Sequence, residues 1–220
     1  MEFFLTTVLK LIPFLRVTIL IAFTSMALGL IFGTLLAAMK MCRIKIFKTI
    51  ANLFTTFIRC TPVIVLIFLA YYGLPVLFGL AGIDINGVNK IVFSIIALTM
   101  YASGTLSEII RPAYLSVDKG QMEAALMSAL TPAQAIRLII LPQVVKRIIP
   151  PMGNEFITLV KDTSLAQVIA VVELLKVTNN WVSSAVSMVP FVIAAVFYLV
   201  MNGVVTRCFT IAEKRLSYYR

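Results

Sequence analysis

The sequence contains no histidine, and only nine acidic residues stand against nineteen basic ones. Its three cysteines, Cys42, Cys60 and Cys208, have no metal-type spacing and read as reduced thiols near the cytoplasmic ends of spans. No histidine, no metal-ligand cluster and no nucleophile beside a base leaves a membrane-embedded enzyme without its chemistry. No Gly-x4-Gly-Lys-Ser/Thr loop occurs, so the phosphate cradle needed to hydrolyse ATP is missing, and the chain is expected to bind no cofactor itself. Charged residues make up 13% of the chain, and the net charge of +10 is scattered at span ends. With no concentrated patch and no aromatic interleaving, it argues against nucleic acid. A cleavable signal is also missing: the first apolar run, Val17 to Met39, is too long for a signal core, and nothing like a cleavage site follows it. The hydropathy pattern shows no clear internal repeat.

Apolar side chains are plentiful. They account for 61% of the sequence, with a mean hydropathy of +1.03, where soluble domains are closer to half apolar. At roughly 20 residues per span, 220 residues allow five or six helices and no sizeable soluble domain. The fold class expected is all-α integral membrane with five transmembrane helices. Residues 1–16 read as an interfacial amphipathic segment, 17–212 as one five-span domain, and 213–220 as a cytoplasmic tail. The spans fall at 17–39, from Arg59-Cys60-Thr61-Pro62 to 80, 91–112, 148–172 and 187–208. Gly29 and Gly33, four apart in the first, allow close helix approach. Glu108 and Arg111, three apart in the third, share a face and are expected to pair. Loops 40–48 and 117–147 and the tail from 207 each hold four Lys or Arg, whereas the other side holds Lys10, Arg16, Lys90 and Lys176. Positive residues favour the cytoplasm, so the N-terminus is expected outside and the C-terminus inside.

Residues 118–142 carry charge and helix caps in an otherwise lipid-soluble chain. Asp118 followed by Gln121, and Thr131 followed by Gln134, both have capping-box spacing, and Pro132 suits a first helical position. A helix over 119–129, a turn, and a new helix from 132 are expected. On physics alone this is either an ordinary interfacial loop helix or a handle for a partner. Span four is the other anomaly, with Pro150, Pro151, Gly153, Asn154, Glu155, Lys161, Asp162, Thr163 and Ser164. Lys161 lies 13 residues past Ile148, about 20 Å along a helix, beyond the middle of a hydrocarbon core of about 30 Å. A charge there is expensive unless it is paired or lines a cavity. The prolines and Gly153 predict a broken helix that frees backbone groups for a polar ligand. Asn154, Glu155, Lys161, Asp162, Thr163 and Ser164 are therefore the candidate pathway residues; a buried ion pair that fixes packing is the bland alternative.

Gly120-Gln121-x-Glu123-Ala124-Ala125, followed by Leu141-Pro142-Gln143, resembles the EAA loop of bacterial ABC importer permeases. The resemblance implies that Gly120, Gln121, Glu123, Ala124, Ala125, Ser128, Ala129, Leu141 and Pro142 form a coupling element that docks on a cytoplasmic ATPase. Ala129 stands where the family usually has Gly; if that Gly serves a positive-φ bend, alanine is costly there and the turn is expected at Leu130 to Pro132. Arg59, Thr61 and Pro62, Tyr101-Ala102, Glu108 with Arg111, Pro151, Asn154 and Lys161 to Leu165 resemble the polar amino-acid branch of these importers. Cys60 and Leu66 depart from it, with Gly and Gln usual at those places. Tyr71-Tyr72-Gly73-Leu74-Pro75 resembles permeases for cystine and related amino acids.

The resemblance implies the permease of an ATP-driven amino-acid uptake system in the bacterial inner membrane, working by alternating access on a polar amino acid such as L-cystine. Implied partners are a cytoplasmic ABC ATPase dimer carrying ATP and Mg, a second permease copy or sister permease, an extracellular or periplasmic amino-acid-binding protein, and membrane lipid. The rival class is an ion-coupled secondary transporter or channel, with Glu155, Lys161 and Asp162 as a proton relay.

Overall fold

The computed structural model describes residues 2–216, and every regular element among them is helical. Met1 and residues 217–220 of the expected tail, Arg220 included, lie outside the described residues. α1 (Glu2–Met41) runs unbroken through Pro13. Residues 2–16 are therefore the first turns of the same helix and not a separate segment. At 1.5 Å per residue α1 is about 60 Å long, more than a membrane core needs.

α2 (Lys45–Cys60) is amphipathic and buries Ala51, Thr55 and Ile58. It stops at Thr61 and Pro62, whose backbones are extended, because proline disfavours a helical conformation in the residue before it. α3 (Val63–Phe68), a π-helical turn (Leu69–Gly73) and α4 (Leu74–Leu80) continue as one rod. Tyr71 and Tyr72 lie inside that turn.

α5 (Lys90–Leu115), capped by Asn89, is the central helix and buries the largest set of side chains. α1 packs on it through the expected glycine pair. A Cβ on Gly29 would stand 2.6 Å from Ala102 Cβ, and one on Gly33 2.9 Å from Leu106 Cβ, so only hydrogen fits at either place. The chain then forms α6 (Lys119–Met127), α7 (Pro132–Ala135), a π-helical turn (Ile136–Ile140), α8 (Leu141–Asp162), a 3-10 segment (Thr163–Ile169), α9 (Leu174–Ala185) and α10 (Val189–Leu216).

Glu2–Met41, Val63–Leu80, Lys90–Leu115 and Val189–Leu216 are long and apolar enough to cross a membrane. α8, the expected fourth span, does not meet that measure because Lys146, Arg147, Glu155, Lys161 and Asp162 interrupt it. Nor is α8 broken where its prolines predicted: it continues through Pro150 and Pro151, and the winding changes only at Thr163. A proline removes one donor, and in a spanning helix neighbouring groups can serve the freed carbonyl. Gly153 is likewise a packing site, since a Cβ there would meet the Phe209 ring at 2.9 Å. The outward surface is rich in large apolar groups, Leu9, Ile31 and Leu199 among them, as a lipid-facing surface requires.

Candidate functional site

Three places gather the polar groups that this chain can ill afford to bury. The first is the α6–α7 hairpin. Asp118 accepts a hydrogen bond from Gly120 N–H at 2.6 Å, a simple cap rather than the full box expected with Gln121. Gln121 lies instead beside Gln143, 3.5 Å away. At Thr131 the reciprocal box is complete: Gln134 N–H donates to the threonine hydroxyl, and Thr131 N–H donates to Gln134 Oε1.

Between these caps α6 ends in a Schellman motif. Leu130 N–H donates to the Ala125 carbonyl at 3.2 Å, and Ala129 N–H to that of Leu126 at 3.1 Å. Ala129 has φ 62°, a left-handed conformation that favours glycine. The turn is thus centred on Ala129 itself, one residue before the expected Leu130 to Pro132. Ser128 donates its hydroxyl to the Ala124 carbonyl. Ala125 is buried inside the chain, whereas Gly120, Gln121, Glu123, Ala124, Ser128 and Ala129 are exposed. The outermost apolar group is Met127, 88% exposed, with Leu126 beside it; neither stood out in the sequence. Leu141 is exposed and Pro142 half-buried at the start of α8. Arg147 donates to Ser116 Oγ at 2.5 Å and ties α8 to the end of α5.

The second place lies between α5 and α8. The candidate pathway residues divide over two faces of α8. Glu155 and Asp162, seven apart, share the inward face, with Glu155 buried and Asp162 half-buried. Asn154 and Lys161, also seven apart, share a face that is exposed. Lys161 and Asp162 make no ion pair with each other. Thr163 is buried and turns its hydroxyl to the Val160 carbonyl; Ser164 does the same to that of Lys161. Glu155 reaches the Thr105 hydroxyl of α5, yet its Oε1 is buried without a hydrogen-bond partner. Tyr101 of α5 feels the charges of Glu155, Asp162 and Arg59. Arg59, exposed at the end of α2, acts on Tyr101, whereas the cation that acts on Asp162 is its chain neighbour Lys161. Thr61 donates to the Phe57 carbonyl and, with Pro62, forms the break before α3. Tyr101 and Thr105 become site neighbours only through the packing of α5 on α8.

The third place is the C-terminal end of α1. Glu108 does not pair with Arg111. It binds Lys40 at 2.5 Å, and the Lys40 ammonium also donates to Ser107 at 3.0 Å. The Lys40 side chain is 2% exposed; an ammonium so buried demands a charged partner more strongly than half-buried Arg111 does.

At the opposite end, α9 is clamped to α1. Lys10 Nζ lies 3.2 Å from the centre of the Trp181 ring, Phe3 stacks on that ring, and Trp181 donates to Thr7 at 3.0 Å. Glu173 caps α9 by accepting from Leu175 and Lys176 N–H. Burial pushes the Glu173 carboxyl up, and these two bonds and Tyr198 act the other way. Tyr71 lies edge-on to Phe93 and Tyr72, so the aromatic stretch takes part in helix packing.

The family model described as the inner membrane component of binding-protein-dependent transport systems matches residues 25–218. The L-cystine transport system permease protein TcyL of Bacillus subtilis (strain 168) is 34% identical over 94% of this chain and 87% of its own length. The probable glutamine ABC transporter permease protein GlnM of the same organism is 36% identical over 91% and 90%. Among solved structures, an amino acid ABC transporter crystallised with histidines has a chain of 32% identity that superimposes with a TM-score of 0.80 over 94% of both chains.

Proposed function

This chain belongs to the binding-protein-dependent transport system inner membrane component family, and from that premise we propose that it forms the translocation pathway for a polar amino acid, driven by ATP hydrolysed on a separate subunit. The observation that carries the substrate class is the α5–α8 cluster. A buried carboxyl with a free oxygen and a second carboxyl two turns on, with the Lys161 ammonium acting on that second carboxyl, offer both signs of charge. An amino acid brings an ammonium and a carboxylate, and buried polar groups discriminate strongly for a ligand that completes their bonds.

α8 is then the fifth span. Its charges are tolerable at membrane depth because Glu155 and Asp162 line a pathway and do not face lipid. The α6–α7 hairpin, with the basic loops, lies in the cytoplasm and presents Met127, Leu126, Glu123 and Ala124 to an ABC ATPase dimer that carries ATP and Mg. The N-terminus and α9 lie outside, where a binding protein delivers substrate, and a second permease copy or sister permease completes the pathway. Because α6 is joined directly to α5 and, through α7, to α8, movement of the hairpin turns both walls of the cluster together and alternates access. Ala125 supports the hairpin from within and does not meet the ATPase.

The specific expectation is L-cystine, supported by TcyL; GlnM, at similar identity, names glutamine, so competition must separate them. Liposomes holding this chain, its ATPase and its binding protein should take up labelled cystine only with ATP. Competition by cystine-like compounds alone confirms the substrate, and displacement by glutamine, arginine or histidine keeps the importer but discards cystine. Uptake independent of ATP, driven by an ion gradient, would refute the reading in favour of a secondary transporter. Within the same system, Asp162→Ala should abolish uptake while the ATPase still binds; loss of assembly instead would make Asp162 a packing residue.

A further inference from the structure

An apolar groove of about 490 Å³ runs between α1, α2 and α5, outside the α5–α8 cluster. Leu28, Phe32 and Leu36 of α1, Ile50 and Phe54 of α2, and Ile96 of α5 form its walls. From Leu28 to Leu36 it follows α1 for about 12 Å at 1.5 Å per residue. One leaflet of hydrocarbon is about 15 Å deep, so the groove has the length of an acyl chain in a single leaflet. Its two long walls, α1 and α2, converge at residues 42–44. α1 ends at Met41, about 8 Å past Leu36, and Arg43 follows directly after it, at headgroup depth.

That end carries positive charge without compensation. Arg43, Lys45 and Lys48 are exposed, and the one ion pair among the described residues, between Lys40 and Glu108, includes none of them. No Asp or Glu occurs from residue 3 to residue 83. Lys45 and Lys48 lie in the first turn of α2, where the helix dipole disfavours cations. The cap residue there, Ile44, makes no side-chain bond to the free N–H groups. An anion is the group that this end of α2 lacks, and hydrocarbon is the group that the groove beside it lacks.

We propose that this groove is a binding site for an anionic phospholipid, with one acyl chain along α1, α2 and α5 and its phosphate held by Arg43, Lys45, Lys48 and the N-terminus of α2. The site concerns lipid and not the transported solute, and it rests on the orientation proposed above only for the leaflet. It joins the cytoplasmic end of α1, the buried Lys40–Glu108 pair and the broken α2–α3 span to the lipid composition of the inner leaflet.

The test uses the whole transporter in phosphatidylcholine vesicles doped at equal mole fraction with brominated phosphatidylglycerol or brominated phosphatidylcholine. The reporter is Phe54→Trp, with Phe32→Trp as a second reporter should the first not assemble; Trp181, at the other end of α1, is the internal reference. Brominated phosphatidylglycerol should quench the groove tryptophan at an apparent affinity on the order of a hundredfold above that of phosphatidylcholine, falling about fivefold for each charge removed. In Arg43→Gln/Lys45→Gln/Lys48→Gln the preference should vanish while quenching by phosphatidylcholine persists. Equal quenching by both lipids in the parent reporter would show ordinary lipid exposure and overturn the proposal. Quenching by neither would show that another permease copy fills the groove, and would overturn it too.

Discussion

Ala129 offers a sharp test of how the coupling hairpin is held. Its φ of 62° places an alanine at the position of a Schellman motif that glycine prefers. The left-handed conformation costs a residue with a Cβ roughly 1–2 kcal/mol. Glycine removes that strain but adds about 0.4–1 kcal/mol of freedom to the opened chain. Ala129→Gly should therefore stabilise the turn by about 0.5–1 kcal/mol, which is about a two- to fivefold smaller population of its open form. The readout is amide hydrogen exchange at Ser128, Ala129 and Leu130, whose N–H groups bond to the carbonyls of Ala124, Leu126 and Ala125. All three should slow by that factor, while amides of α5 stay unchanged. Unchanged or faster exchange at these three would refute the reasoning, because it would mean that the left-handed turn is not what limits opening. Ala129→Val, with a branched side chain, should accelerate the same amides.

The hairpin also separates two neighbours: Met127→Asp should abolish the stimulation of the ATPase with melting unchanged within about 0.5 kcal/mol, whereas Ala125→Arg should destabilise the hairpin itself, seen as faster exchange before any partner is added. Gly29→Ala should destabilise the α1–α5 contact by about 1–3 kcal/mol in thermal unfolding in detergent, because the new methyl overlaps Ala102. Gly203→Ala in α10, where a Cβ meets nothing within 4 Å, should instead be neutral or stabilising by up to about 1 kcal/mol. Equal effects of the two would sink the close-packing argument. Glu108→Gln should cost about 1–3 kcal/mol, less than a fully buried pair because Glu108 is one-third exposed. Lys40→Met combined with Glu108→Leu should recover most of that loss in the same melt.

What the sequence by itself determined follows from interactions that are local along the chain or summed over it. The apolar runs placed α1, α5 and α10 in a membrane setting, and Asp118, Thr131 with Gln134, and Pro62 marked helix ends within a residue or two. Caps and proline act on groups two to four residues away, so spacing is enough to read them. The Gly29 and Gly33 pair was legible for the same reason, although not what it met. Residues 120–125 and 161–165 carried the family resemblance that the comparisons then matched over most of the chain.

Tertiary structure alone decided which partner each polar group obtained. Glu108 had a neighbour of the right sign one turn away in Arg111, yet it binds Lys40, 68 residues earlier, because α1 buries that ammonium beside it. Ala124 and Ala125 read alike, but one faces out and the other in, since the α6–α7 packing selects the face. Glu155 and Asp162 became a pair of inward acids, and Lys161 turned away, only once α8 held its helix through Pro150 and Pro151. Lys10 found Trp181 through the docking of α9 on α1. Burial sets the cost of leaving a charge unpaired, and burial is a property of the packed helices and not of any one segment.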